Sequence, residues 1–505
     1  MVSLINSFLN KTAMYRLVLY LLILLVVVAS SLSAIGLLSH NGFYILASAT
    51  YLSFICWITN KILAKILKVK TNPESALISG LILSLIFGPV FSLSNLIPLT
   101  AIGVFGMTSK YLIVLRGRHI FNPAAFGATA SAVILGQGAS WWVGDLPMAP
   151  FILISGFLIL KKIRKFEMVA AFLASMTVLM VVNSILGHEP FDLFVRLRSQ
   201  ATFLLVSPLT FFALVMLVEP LTSPFRKSYQ VMYAILIALL FYFLGSVIPY
   251  SLEASLLIGN IFAYITNSSF RQVLILRKKE KLSTDVIGFW FEPWKKFEFK
   301  PGQFLEWTLS HPRQDNRGIR RFFTIASSPS ENLVLLATKF YEKPSTFKQV
   351  LAKMEPRDEI IVSNLGGEFT LPNNLGTKLV FIAGGIGITP FRAITKWILD
   401  NKEPRDIILF FSNKTQENIV FEDIFKKAEQ FGLKTVYINT NRDGHIDEKL
   451  INGKVPDFRD RTFYISGPEP MVKAFNEMLG KMGIKKSQVK KDYFPGYTET
   501  YTTER

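Results

Sequence analysis

The sequence predicts two architectures in one chain. A polytopic α-helical membrane domain of about ten helices in two repeats is fused to a soluble module, itself an antiparallel β-barrel plus an α/β parallel-sheet domain. Three observations predict this. The 505 residues are 50% hydrophobic and only 18% charged, with mean hydropathy +0.37, where soluble domains carry roughly 25% charged residues. Charge density changes near residue 270, from 17 Lys and Arg with 7 Asp and Glu before it to 38 with 29 after it. Patterning changes at the same place, from long apolar runs to short strands and amphipathic helices. The domain boundaries follow as 1–270, 271–374 and 375–505. One cysteine excludes a disulfide framework, a thiolate zinc site and a self-contained iron–sulfur cluster, and no metal site is expected.

A membrane-spanning helix needs about 20 apolar residues. Ten candidates lie near 14–38, 43–60, 75–90, 92–109, 121–137, 147–160, 167–187, 202–218, 229–249 and 252–268. The first is not taken as a signal-peptide core, because apolar segments continue far beyond it without a small-residue cleavage pattern. Basic residues alternate between connections. Lys61, Lys65, Lys68 and Lys70 follow the second span; Lys110, Arg116 and Arg118 the fourth; Lys161, Lys162, Arg164 and Lys165 the sixth. Arg226 and Lys227 follow the eighth, and Arg271, Arg277, Lys278, Lys279 and Lys281 the tenth. The odd connections hold almost none besides Arg196 and Arg198. The positive-inside bias then places both termini and the soluble module in the cytoplasm of a multi-pass cell-membrane protein. It also accounts for the net charge of +19 without nucleic acid; the lipid bilayer is the expected partner.

Two segments interrupt this half, Gly117–Gly127 with its Phe121-Asn122-Pro123 and Phe211–Pro224 with its Glu219-Pro220. A proline frees backbone groups that lipid cannot satisfy, so such segments survive where they line a protein-enclosed site. Broken segments in corresponding positions of two halves point to a ligand site between repeats. Asn-Pro and Glu-Pro also simply mark helix starts and stops.

The runs Asn72-Pro73-Glu74-Ser75, Phe121-Asn122-Pro123-Ala124-Ala125-Phe126-Gly127 and Glu219-Pro220-Leu221-Thr222-Ser223-Pro224 occur in an order that resembles the flavin-carrying membrane subunits of the Rnf complex and the sodium-pumping NADH:quinone reductase. The resemblance spans roughly residues 10–268. It implies a ten-helix, two-repeat domain that binds flavin and passes electrons, with FMN or riboflavin as the membrane flavin. That family often esterifies FMN to the Thr of Asp-x-x-Ser-Gly-Ala-Thr. The nearest match here is Arg196-Leu197-Arg198-Ser199-Gln200-Ala201-Thr202, with Arg for Asp and Gln for Gly, which leaves covalent attachment open. Gly127-Ala128-Thr129 is a second partial match. Helix packing is the favoured reading of both threonines, since hydroxyls readily bond helix carbonyls. Arg196 and Arg198 defy the charge bias beside Thr202, and two guanidiniums there suit a flavin phosphate; Glu189, Asp192 or lipid headgroups suit them too. Asn122, Arg196, Arg198 and Thr202 are the candidate flavin contacts.

The soluble half carries two motifs. In the first, Arg321-Phe322-Phe323-Thr324 follows Pro301-Gly302-Gln303-Phe304. A flavin requires a flat aromatic against its ring, a hydroxyl or amide near N5 and a cation for its pyrophosphate. Phe323, Thr324 and Arg321 supply these at strand spacing. Ser345 and Thr346 could open a helix whose free N–H groups suit a phosphate. In the second motif, Ala383-Gly384-Gly385-Ile386-Gly387-Ile388-Thr389-Pro390 follows a predicted strand and opens a helix. Its glycines let backbone approach a dinucleotide pyrophosphate. Ser466-Gly467-Pro468-Glu469-Pro470-Met471 follows a later strand, where it could shape the nicotinamide pocket.

In that order these motifs resemble the ferredoxin–NADP reductase family across residues 272–505. The resemblance implies FAD on the barrel and NADPH or NADH on the α/β domain. It assigns Arg321, Phe322, Phe323, Thr324, Ser345 and Thr346 to FAD, and Gly384, Gly385, Gly387, Thr389, Pro390, Gly467, Pro468 and Met471 to the nicotinamide dinucleotide. Thr324, Ser466, Asp492 and Phe494 are its candidate catalytic residues. Phe323 replaces the family's usual Tyr and Ser466 its common Cys. Phe494 and Tyr497 are equally at home as core aromatics. Lys414 could contact a 2′-phosphate, favouring NADPH, or simply be solvated.

Joined, the halves form a membrane flavoprotein oxidoreductase. Electrons pass from cytoplasmic NAD(P)H through FAD to a membrane flavin, then to an acceptor in or across the bilayer: a quinone, an extracellular acceptor or a partner protein. A core about 30 Å thick calls for two membrane flavins or an acceptor within it. The rivals are a haem-type ferric reductase or NADPH oxidase, which needs histidine pairs that His40, His119 and His188 do not form, and a flavin-gated transporter or channel with Glu219 or Asn122 lining a polar path.

Overall fold

The computed structural model describes residues 8–9, 12–69, 73–89, 93–115, 118–186, 207–266, 271–311, 314–315 and 318–493. The chain divides into two compact units, Met1–Ser269 and Phe270–Arg505.

Unit 1 carries α1 (Met14–Ala34), α2 (Gly42–Ile66), α3 (Pro73–Ile86), α4 (Leu93–Leu112), α5 (Pro123–Leu135), α6 (Ala149–Ile163), α7 (Phe166–Leu186), α8 (Pro208–Phe211) running into a π-helix (Phe212–Met216), α9 (Lys227–Leu244) and α10 (Ser251–Thr266). Among the described residues, five helices are long and apolar enough to cross a membrane: α1, α2, α6 extended back to Leu146, α7 and α9. Four more are apolar but shorter: α3, α5, α10 and the Leu96–Leu112 part of α4. Of the ten expected spans, the described residues show five helices of spanning length and four shorter apolar ones, and the candidate at 202–218 lies partly outside them. Proline sets several of the short ones, opening α3 at Pro73 and α5 at Pro123 and interrupting α4 at Pro98. In α1 the stripe Leu17, Leu21, Leu25, Ala29 is buried while Tyr20, Ile23, Leu24 and Val27 are exposed. A helix apolar on both faces is what a lipid-facing position demands. Close backbone approach sets the α4–α5 contact: a Cβ on Gly127 would lie 2.7 Å from the Ile102 carbonyl oxygen, the small-residue packing typical of membrane helices.

Unit 2 holds two sheets. The first contains β1 (Arg271–Lys281), β2 (Val286–Pro293), β3 (Phe304–Thr308), β4 (Arg320–Thr324), β5 (Val334–Lys339) and β6 (Glu359–Gly366), in the antiparallel order β4-β3-β6-β1-β2-β5. Leu274, Phe289, Phe291, Leu305, Trp307 and Leu336 fill its concave core with Phe347 from α11 (Thr346–Lys353). The edge strands β4 and β5 do not pair, so the expected barrel is a half-barrel. After Thr324 one ladder-like bond, Ala326 N–H to the Leu335 carbonyl at 2.9 Å, precedes Ser327-Ser328-Pro329, and Pro329 has no N–H to continue.

The second sheet contains β7 (Leu379–Gly384), β8 (Ile407–Asn413), β9 (Leu433–Asn439), β10 (Thr462–Ser466) and β11 (Val489–Asp492), all parallel, in the order β9-β8-β7-β10-β11. Every residue of β7 is buried. Leu379, Phe381 and Ala383 face a core with Phe391, Ile394 and Ile398 of α12 (Thr389–Asn401). Val380 and Ile382 face the opposite core, with Val472, Phe475 and Leu479 of α15 (Glu469–Lys481), which follows α13 (Glu422–Lys427) and α14 (Glu448–Lys454). Two-sided burial explains why β7 reads as an unbroken apolar run. Each fully buried large side chain contributes roughly 1.5–3 kcal/mol.

Candidate functional site

The carboxyl ends of β7, β8, β10 and β11 form one rim, since Ser412 registers with Gly384, Ser466 with Ala383, and Ser466 with Asp492. On this rim two loops interlock. A Cβ on Gly384 would lie 2.3 Å from the Met471 sulfur, one on Gly387 2.3 Å from the Ser466 carbonyl oxygen, and one on Gly467 2.5 Å from the Met471 methyl. At Gly387, which faces backbone, only glycine permits that approach; at Gly384 and Gly467 the neighbour is the flexible end of Met471. Gly385 differs: its φ is +54° and a Cβ there would meet nothing within 4 Å. The glycine turn is thus closed against residues 466–471 and open at Gly385, in front of the α12 N-terminus with Thr389 and Pro390 in its first turn. That open face, with glycine backbone and a helix N-terminus behind it, fits an anionic nucleotide. Gly384, Gly385, Gly387, Thr389, Pro390, Ser466, Gly467, Pro468 and Met471 come together here.

Asn413 joins them at the end of β8 and is absent from the sequence reading. It is 6% exposed, and its side-chain amide nitrogen is buried without a hydrogen-bond partner among the described residues. Its placement directly before Lys414 was the available signal. Lys414 itself is exposed.

On the half-barrel, Arg321 and Phe323 share one face of β4. The Arg321 guanidinium lies 5.4 Å from the Phe347 ring centroid, and the Phe323 and Phe347 rings are 5.9 Å apart. Ser345 caps α11 by accepting from Lys348 N–H. The Thr346 N–H donates to Asp315 Oδ2 at 3.1 Å, and Arg321 Nη2 donates to Asp315 Oδ1 at 3.3 Å. One carboxylate therefore engages both the helix N-terminus and the guanidinium, the donor set assigned to a pyrophosphate, and that set fits an anionic cofactor. Phe322 points the other way, 37% exposed and edge-on to Phe304 at 5.5 Å, so the structure does not group it with Arg321 and Phe323.

The two sheets meet at Thr324. Its Oγ1 donates to Asp492 Oδ2 at 3.2 Å, across 168 residues. Both side chains are buried. Burial pushes the Asp492 carboxyl up to about 7, a rise that the Thr324 hydroxyl partly offsets. A hydroxyl and a carboxyl that titrates near neutrality stand at the junction of the two motifs, suited to holding or moving a proton. Phe494 and Tyr497 lie outside the described residues.

In unit 1 the two interrupted segments come together. Asn122 caps α5, accepting from Ala125 N–H at 3.0 Å, as its Asn-Pro reading as a helix start requires. Its Nδ2 also donates to Glu219 Oε2 at 2.7 Å, and Thr222 Oγ1 donates to the same oxygen at 3.1 Å. Asn260 Oδ1 accepts from Asn122 N–H at 2.8 Å, while its Nδ2 donates to the Thr222 carbonyl at 3.0 Å and the Tyr233 hydroxyl at 3.1 Å. Asn122 and Glu219 line a mostly apolar cavity with Ser75, Ser79, Ile82 and Ile159. A few convergent polar groups in an apolar cavity are the makings of a ligand site. Arg196, Arg198 and Thr202, with Glu189, Asp192 and His188, lie outside the described residues. The Thr129 hydroxyl is buried without a partner among the described residues.

Residues 381–477 match an oxidoreductase NAD-binding domain. The chain is 26% identical over 211 residues to the glycine betaine monooxygenase reductase subunit of Chromohalobacter salexigens, covering 39% of this chain and 56% of that protein. It is 24% identical over 241 residues to flavohemoprotein A of Dictyostelium discoideum, covering 44% and 60%. The chain thus spans less than two thirds of these curated relatives. Among solved structures, a flavohemoglobin from Malassezia yamatoensis with bound FAD and heme aligns with TM-score 0.41 at 18% identity, covering 68% of this chain and 97% of that one. Ferredoxin-NADP+ reductase from Plasmodium falciparum aligns with TM-score 0.39 at 17% identity, covering 45% and 99%. The C-terminal half matches the ferredoxin–NADP reductase type of module. Nothing in these comparisons shows the N-terminal resemblance.

Proposed function

We propose that this chain is a membrane flavoprotein oxidoreductase taking electrons from NAD(P)H through FAD to a flavin in unit 1, and on to an acceptor in or across the bilayer. The observation that carries the reading is the Thr324–Asp492 hydrogen bond, which joins the flavin motif to the nucleotide rim. FAD, when bound, would supply the conversion of a hydride from reduced nicotinamide into single electrons. The chain's own residues do the rest. Arg321 and the Thr346 N–H, which here engage Asp315, would hold the FAD pyrophosphate, and Phe323 would supply a flat wall. Gly385 and the α12 N-terminus receive the nicotinamide dinucleotide. Asp492 accepts from the Thr324 hydroxyl and would hold or move a proton there, and Ser466 lies across from it in register.

The Chromohalobacter salexigens relative is, by its name, the reductase subunit of a monooxygenase. Here unit 1 takes the acceptor's place, with five helices of membrane-spanning length and the Asn122–Glu219 cavity as the second flavin site. About ten spans in two repeats, with the module on the cytoplasmic side, remain part of this reading. The test is a cofactor census of the purified full chain after denaturing extraction, with mass analysis for a covalent adduct. FAD plus a second flavin supports the relay. FAD alone refutes it.

A further inference from the structure

We propose that Arg392 is a positioning residue for hydride transfer, locking the loop that follows the flavin motif to the helix that opens at the nicotinamide motif. The inference rests on the reductase reading above. Arg392 lies in α12, two residues after Pro390, and its side chain is 5% exposed. Its Nη1 donates to the Ala326 carbonyl at 3.1 Å, and Ala326 is two residues past Thr324. Its Nη2 donates to Glu331 Oε1 at 2.9 Å and its Nη1 to Glu331 Oε2, a bidentate fork. Glu331 Oε2 in turn accepts from Ser328 N–H at 2.7 Å. The guanidinium lies over two aromatic rings, Trp290 of β2 at 5.5 Å from the ring centroid and Phe421 at 5.6 Å. Phe421 sits at φ +63°, a left-handed conformation that an aromatic residue adopts only when its surroundings hold it.

The loop 326–331 is fastened at a second point, because Ser330 Oγ donates to Asp400 near the end of α12. One loop is thus pinned to both ends of one helix. The loop leads back to Thr324; the helix leads back to Gly384–Gly387. A planar fork over two aromatic rings fixes angle as well as distance, which lysine's point charge does not. Hydride transfer needs reacting atoms within about 3–3.5 Å, and a misplacement of about 1 Å can lower a rate roughly 100-fold. The guanidinium's bond to the carbonyl two residues past Thr324 ties it to the strand end that carries the flavin motif.

The test uses the full chain with its bound flavin, comparing wild type with R392K, R392Q and E331Q. Reduction by NADPH and NADH is followed in stopped flow, with 4-deuterated coenzyme and a direct measurement of nucleotide Kd. The expected result is at least tenfold slower hydride transfer in R392Q, a smaller loss in R392K, Kd within about twofold of wild type, and a larger, more temperature-dependent isotope effect. Should R392Q not fold, R392K and E331Q carry the comparison. Unchanged rate and isotope effect in folded variants, even with a lowered melting temperature, overturn the proposal. Failure of NAD(P)H to reduce flavin in the wild type overturns the reductase reading and this proposal with it.

Discussion

Replacing Asp492 by Asn should change how the reductase unit responds to pH. Burial raises the Asp492 carboxyl from its ordinary 3.8 to about 7. A carboxyl raised on folding contributes stability that is fully present below pH 3.8 and is lost as pH rises through 7, because the folded state holds a proton the unfolded chain has released. One pKa unit corresponds to about 1.4 kcal/mol, so between pH 5 and pH 9 the wild type should lose on the order of 3 kcal/mol from this group. For a unit of this size, 1 kcal/mol moves the melting temperature by roughly 2–4 °C. The reductase unit of wild type should therefore melt on the order of 10 °C lower at pH 9 than at pH 5, in excess of whatever slope Asp492→Asn retains. Asn keeps an acceptor for the Thr324 hydroxyl and cannot ionise, so the variant should be the more stable protein above pH 8. The assay is thermal unfolding of the full chain in detergent at fixed ionic strength, followed by release of flavin fluorescence. Parallel wild-type and variant curves from pH 5 to 9 would refute the reasoning.

Other substitutions test the rest of the site. Thr324→Val removes the donor to Asp492 and should slow flavin reduction by NAD(P)H at least tenfold in stopped flow; an unchanged rate removes Thr324 from the site. Gly387→Ala puts a methyl 2.3 Å from the Ser466 carbonyl oxygen, so the two loops must part and nucleotide affinity should fall tenfold or more by titration. Lys414→Ala should raise KM for NADPH several-fold and leave KM for NADH in place; equal effects on both would assign Lys414 no phosphate contact. Thr202→Val should abolish any covalent flavin adduct seen by mass, and an adduct that persists clears that residue.

The features legible in the sequence are those whose physics is local. The glycine turn between a strand and a helix was readable because Gly384, Gly385 and Gly387 lie within four residues and the flanking periodicities differ. Asn122 and Glu219 were marked by the prolines beside them, but their hydrogen bond across 97 residues follows from helix packing that no local pattern encodes. The same holds for Thr324 and Asp492. Arg392 was invisible for another reason: on an amphipathic helix an arginine reads as part of the solvated face, and only the tertiary fold shows it buried. Short alternating strands predict a small β-barrel, but alternation does not say whether the edge strands pair, and here they do not. Phe322 was grouped with its neighbours by motif, although pleating sends it to the opposite side of β4 from Arg321 and Phe323.

The bond from Asn122 to Glu219 has a consequence for how this chain can change over generations. One amide starts a helix and quiets a carboxylate borrowed from a distant stretch of the polymer. Losing the amide leaves a helix without its opening clasp and an acid hydrogen-bonded, among the described residues, by the Thr222 hydroxyl alone; losing the acid leaves the amide nitrogen without its acceptor. Descendants of this sequence should therefore alter both positions together or neither, and the two should drift as a single inherited character.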